Sequence, residues 1–310
     1  MTMRRILAFA LSALQVCVVA TAKTDESKLP MKKRPTTTKT ETKRSSAKEE
    51  KTQRIVKWSE PKTSNSPTAQ ASSSTPNVLT IYANGVRFEM VEVRGGTFRM
   101  GATSEQGGDA CDNERPVHNV TLDSYYIGKT EVTQALWKAV MGSNPSHFQG
   151  DNLPVECVSW GDCQTFIEKL NALTGKSFRL PTEAEWEFAC RGGNKSRGNK
   201  YSGSNDLNRV AWYGDNSGSR THTVATKLPN ELGIYDMSGN VWEWCADWYD
   251  GYSGKALSNP SGPTSGSGRV NRGGSWINFA RFCRTSDRVG NHATRLASYL
   301  GLRLVVTIQR

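Results

Sequence analysis

After Gly193 the helical periodicity of the middle of the chain stops, and more than a hundred residues follow that are rich in Gly, Ser, Asn and Trp. Only short apolar runs interrupt them. Such a segment suits a domain with little regular structure, held by buried tryptophans, by bonds from polar side chains to backbone, and by ions. No repeat of fixed period is present to suggest a solenoid or propeller.

Upstream the signals are local and clear. Arg87 to Arg94 alternates and then meets Gly95-Gly96 before Thr97-Phe-Arg-Met100, which predicts a β-hairpin or a bent strand pair. Val117 to Ile127 predicts a further extended segment. Thr133 can cap a short helix carrying Leu136, Trp137 and Val140 and stopped by Gly142. Ser159-Trp-Gly-Asp162 approximates a capping box, and Cys163, Phe166, Ile167 and Leu170 follow at helical spacing until Gly175. A third helix starts at the N-cap Thr182, with Glu185 three residues on and Trp186 and Ala189 inward, and ends by Gly192-Gly193.

The N-terminal part is of another kind. Arg4 and Arg5 lead an apolar run from Ile6 to Ala20, and Ala20-Thr21-Ala22 offers small residues for cleavage, so residues 1–22 are expected to be a signal peptide and the product exported. That product is periplasmic, secreted or surface-bound. A lipid anchor at Cys17 is disfavoured, because Leu14-Gln15-Val16 lacks the usual small residue. Residues 23–77 are a Ser/Thr/Lys/Pro-rich stretch with almost no apolar side chains, so a disordered linker is expected. Thirteen Lys and Arg against six Asp and Glu in that stretch account for most of the net charge of +11. The remaining domain, 78–310, is therefore nearly neutral, and no specific nucleic-acid partner is implied. The basic linker could still make weak contact with an anionic cell surface.

Six cysteines follow the leader, and in an exported chain they are candidates for disulfides of open connectivity. The four histidines are scattered without the spacing of a zinc site.

Several blocks in order resemble the formylglycine-generating enzyme (sulfatase-modifying factor) family. They are Gly95-Gly-Thr-Phe-Arg-Met-Gly101, Tyr126-Ile-Gly-Lys-Thr-Glu-Val-Thr133, Leu180-Pro-Thr-Glu-Ala-Glu-Trp-Glu187, Gly233-Ile-Tyr-Asp-Met-Ser-Gly-Asn-Val-Trp-Glu-Trp244 and Arg272-Gly-Gly-Ser-Trp276. The resemblance implies an α+β domain with an irregular, C-type-lectin-like formylglycine-generating-enzyme fold and little regular secondary structure. It implies calcium at Asp236, Gly239, Val241 and Glu243, two carboxylates alternating with backbone carbonyls. The alternative is that Asp236 and Glu243 only tie the turn to backbone amides.

The same resemblance argues against catalysis. In that family two cysteines five residues apart bind copper, whose cuprous form selects soft thiolates. Cys283 matches the second, but Asn278 stands in place of the first, so copper is disfavoured. Cys283 and Ser275 would be the catalytic residues if the chain were active. Leu304 also stands where the enzyme has a cysteine, which leaves Cys190 without its family partner. Cys283 is then expected to be structural, with Cys245 as its candidate partner.

One window has an unusual composition. Residues 276–300 contain no Lys, Glu, Gln or Met, although 28 of the 188 residues in 88–275 are of these types. They are filled instead by side chains that an asparagine codon reaches by exchange of its adenines. This resembles the variable region of diversity-generating retroelement proteins, which use this domain type as a display scaffold. Arg272, Gly273, Gly274, Ser275, Trp276, Arg284, Arg288, Arg295, Gly301 and Arg303 read as frame. Ile277, Asn278, Phe279, Phe282, Asp287, Val289, Asn291, His292, Thr294, Leu296, Ser298 and Tyr299 read as the ligand-binding residues. Mixed aromatic and small polar side chains on a rigid frame suit recognition of a protein or glycan ligand. The expected function is that of an exported, non-catalytic binding protein. Its competitors are a sulfatase-maturing oxidase and a structural component of the envelope or secretion machinery.

Overall fold

A computed structural model describes residues 77–307. The expected signal peptide and all of the expected linker except Asn77 lie outside the described residues.

Five strands open the domain: β1 (Val78–Ala83), β2 (Val86–Val93), β3 (Gly96–Met100), β4 (His118–Leu122) and β5 (Tyr125–Gly128). The helices α1 (Gln134–Met141) and α2 (Trp160–Thr174) follow, then β6 (Phe178–Arg179), α3 (Glu183–Cys190) and the single turn α4 (Leu207–Val210). Only short strands come after: β7 (Trp242–Trp248), β8 (Leu257–Ser258), β9 (Arg269–Arg272), β10 (Arg288–Asn291), β11 (Leu300–Leu302) and β12 (Val305–Thr307). The expected loss of helix after Gly193 thus holds but for α4 and short 3-10 turns.

The three long helices start and stop where local chemistry dictates. Ser159 and Thr182 accept from the N3 amides in full capping boxes, Thr133 caps α1, and Gly142 and Gly175 end α1 and α2 in the left-handed region. The predicted hairpin around Gly95-Gly96 is not formed. Instead β1 and β2 make the hairpin, turning on Asn84-Gly85, both at positive φ. At Gly95-Gly96 the chain crosses from one sheet to another, since β2 pairs with β1 and β5 while β3 pairs with β4.

The largest sheet has the order β1-β2-β5-β12-β6, so the end of the domain is inserted between a strand from its beginning and one from its middle. A second sheet, β10-β9-β7-β11, carries both edges of the 276–300 window. Helices α1 and α2 cover one apolar cluster, in which Trp137 stacks on Phe166 at 4.8 Å. Helix α3 is buried on every side, and Trp186 and Phe188 fill the second cluster. Three of its buried side chains are Glu183, Glu185 and Glu187, which an apolar environment tolerates only when they are paired.

Candidate binding surface

Glu185 is held by Arg179, and the partners of Glu183 and Glu187 belong to the frame of the window. Arg288 reaches Glu183 with two bonds of 2.6 Å, and Arg272 pairs with Glu187 and lies 3.2 Å from Glu183. Arg284 grips Glu114 at 2.6 and 2.7 Å. Arg303 holds Glu243 at 2.7 Å and also donates to the carbonyls of Gly128 and Tyr235. All four arginines are buried. Ion pairs of this kind contribute little net stability over an apolar filling, but they penalise any arrangement that leaves one charge alone. They therefore fix where the window sits. Arg295, expected in the frame, is instead exposed and donates to the Tyr299 hydroxyl.

Between these anchors the side chains turn outward. Gly273 and Gly274, at φ +101° and +72°, deliver Ser275 and Trp276 inward, and the chain then surfaces. Ile277 is 54% exposed, Phe279 66% and Leu296 60%, three of the eight exposed large apolar residues among those described. His292 and Thr294 are exposed too. Asn278, Phe282, Val289, Asn291, Ser298 and Tyr299 are half-buried, with Phe282, Val289 and Tyr299 leaning on the first apolar cluster. Trp276 donates its indole N–H to the Ser298 carbonyl at 2.8 Å, so the two ends of the window lie side by side. Asp287 is a correction: it is 4% exposed and its carboxylate accepts from Arg284, because the run 283–288 lies inside. Phe148 packs edge-on to Trp276 at 5.3 Å from a loop that carried no compositional signal.

At the positions where the family has its oxidation centre, Ser275 and Asn278 are bonded to each other. Asn278 Oδ1 accepts from the Ser275 hydroxyl and, at 2.9 Å, from the Trp242 indole N–H. Cys283 is buried in the third cluster, and burial pushes its thiol well up, which disfavours the thiolate that a metal needs. The expected Cys245–Cys283 bond is not formed: both are thiols, and Cys245 lies in the second cluster.

The two carboxylates that the resemblance implies for calcium are engaged within the fold. Glu243 gives both oxygens to Arg303 and accepts from the Trp186 indole N–H at 2.6 Å. Asp236 accepts from the Ala225 amide at 2.7 Å, which leaves its Oδ1 as the buried oxygen without a partner. The other oxygens that the resemblance implies are the backbone carbonyls of Gly239 and Val241, in the same turn. Among the described residues no group of three or more His, Cys, Asp or Glu is arranged to hold a metal ion.

Comparison with known proteins matches residues 83–308 to the sulfatase-modifying factor enzyme 1-like domain. The chain belongs to this family. It is 31% identical to the formylglycine-generating enzyme of Mus musculus, over 69% of this chain and 74% of that protein. It is 35% identical to a Paenibacillus barcinonensis protein named chaperone protein LppX, over 70% of this chain and 89% of that protein. Among solved structures it is similar to Treponema denticola variable protein 1, with a TM-score of 0.69 and 37% identity, covering 76% of this chain and all of that one.

The buried carboxylates give this sulfatase-modifying-factor domain a distinctive pH response. Burial raises Asp287 to about 7, and burial together with repulsion from Glu183 raises Asp247 to about 7. Their stabilising contribution is present at low pH and is lost as pH rises through the folded values. Glu114 and Glu183 are held below the ordinary glutamate value by their arginines against the pull of burial, so their contribution is lost as pH falls. The thermal midpoint should therefore peak at about pH 4–5, decline up to about pH 7 and level off above it. In Asp287→Asn the decline should be shallower, and an unchanged slope by scanning fluorimetry would contradict the assignment.

Proposed function

We propose that this domain is a non-catalytic binding module, exported from the cell, which presents the surface of residues 276–300 to a protein or glycan ligand. The same window is proposed to be diversified by exchange of adenines in its codons. The observation that carries this reading is a division of labour along one segment. Arg284 and Arg288 inside the window, with Arg272 and Arg303 beside it, are buried and paired, while Ile277, Phe279, His292, Thr294 and Leu296 are exposed. Side chains at exposed positions can change without disturbing the frame. The 37% identity to a protein named as variable supports the same reading.

The replaced copper cysteine supports the non-catalytic half. Asn278 is bonded into the fold and leaves Cys283 without a thiol five residues upstream. Cuprous ion added to the full chain, with a sulfatase-type Cys peptide and oxygen, should give no oxygen uptake above buffer. Sustained turnover would return the chain to the oxidases.

The display half is tested at the exposed positions. Ile277→Ser, Phe279→Ser and Leu296→Ser made together should move the thermal midpoint by only about 1–3 °C, because exposed substitutions away from special features cost little. A much larger fall would make these side chains structural. At the level of the gene, a near-identical repeat differing at adenines, beside a reverse transcriptase, is expected. Its absence would remove the diversification part of the proposal.

A further inference from the structure

We infer that the partner of this surface is a protein, offering an apolar protrusion bordered by carboxylates, rather than a sugar. The inference rests on 276–300 being the binding face. Sugar recognition wants open aromatic faces and polar groups with spare hydrogen-bonding capacity. Here the indole and phenol groups are largely engaged within the fold, and Phe279 is left as an exposed ring without a polar group. Trp276 is 8% exposed and its N–H is given to Ser298, while the Trp242 N–H is given to Asn278. The Tyr299 hydroxyl accepts from Arg295, His292 is bonded to Thr294, and Asn291 donates to Asn271.

The large apolar side chains that the window leaves exposed are Ile277, Phe279 and Leu296. Aliphatic and aromatic tips on a supported frame are the centre of a protein interface, where excluded water makes a few side chains dominate. The exposed charges of the window itself have one sign. Of the window's charged side chains, Arg281 and Arg295 are exposed, whereas Arg284, Arg288 and the single carboxylate, Asp287, are buried. The Arg281 guanidinium lies over the Phe282 ring at 4.8 Å, and that of Arg295 lies 5.8 Å from the Tyr299 ring, so both cations are held beside aromatic surface. Acidic side chains at the rim of the partner complement this pattern and exclude basic surfaces.

The full-length chain is immobilised and probed with two reagents: a phage-displayed library of random twelve-residue peptides and a printed glycan array. Enrichment of peptides that combine bulky apolar residues with Asp or Glu is expected. Binding of those peptides should fall about tenfold or more in I277S/F279S/L296S and several-fold in R281S/R295S, the latter loss shrinking at high salt. Both variants are first checked for a thermal midpoint within about 3 °C of the parent chain. Peptides enriched without acidic residues, or bound equally by the apolar variant, overturn the inference. A glycan signal that the apolar variant loses overturns the protein class while leaving the surface a binding face. Silence on both reagents overturns the inference and counts against the binding reading as well.

Discussion

Replacing Arg303 by Met should remove about 3–5 kcal/mol of stability, a large share of the roughly 5–15 kcal/mol that folded proteins possess. The guanidinium is fully buried and satisfies Glu243 with three contacts between 2.7 and 3.1 Å, as well as two backbone carbonyls. Methionine fills much of the volume but none of the charge. Glu243 would then share the interior with Glu131, whose carboxyl burial and the nearby Asp236 and Glu243 already push well up. Urea denaturation of R303M should show the loss directly. Adding Glu243→Gln to that variant should restore part of it, since the stranded charge goes with its partner. A loss below about 1 kcal/mol would mean that the pair is a solvated contact and not a structural one.

Gly239→Ala should be nearly as damaging, for a steric reason. Gly239 sits at φ +82°, and an added Cβ would lie 2.3 Å from the Trp212 carbonyl oxygen, a backbone atom that cannot swing aside. Gly142 has the same φ of +82° with open space around it. Alanine at 142 should therefore cost about 1 kcal/mol for the left-handed backbone alone, while alanine at 239 should cost roughly 2–4 kcal/mol. The effect should also reach the window. Asn240 donates to Trp212 at 2.7 Å and accepts from the Trp276 amide at 2.9 Å, so a displaced turn displaces Trp276. Equal losses at the two glycines would refute the close approach.

Much of the fold was legible where the determinants are local. Thr133, Ser159 and Thr182 cap helices because a short side-chain oxygen meets an amide three residues on, which a sequence shows directly. Gly95-Gly96 misled for a reason visible only in space. A Cβ at Gly95 would meet the Leu122 carbonyl at 2.4 Å, so the glycine serves a close crossing of two segments and not a turn. The true hairpin turn, Asn84-Gly85, carried the stronger dipeptide signal for a two-residue loop.

The candidate surface was legible as composition but not as orientation. The missing Lys, Glu, Gln and Met marked residues 276–300 without showing which way each side chain points, and so Asp287 was grouped with the exposed residues. The frame arginines stood out, but their partners did not. Glu183 lies 105 residues from Arg288, and nothing in the local pattern of α3 separates a solvated helix-start acid from one buried against a distant guanidinium. Phe148 was invisible for the same reason, since its edge-on contact with Trp276 joins segments far apart in the chain.

The ion pairs also define what would have to travel in a graft. Moving residues 276–300 alone onto a related scaffold would carry Arg284 and Arg288 into a host that must already supply acids equivalent to Glu114 and Glu183. A recipient lacking either acid would receive an orphan cation in its interior and reject the transplant, whatever the outward-facing residues were. The transferable unit is thus a cassette of loop and distant counter-ions, and repertoires built on this scaffold inherit that boundary.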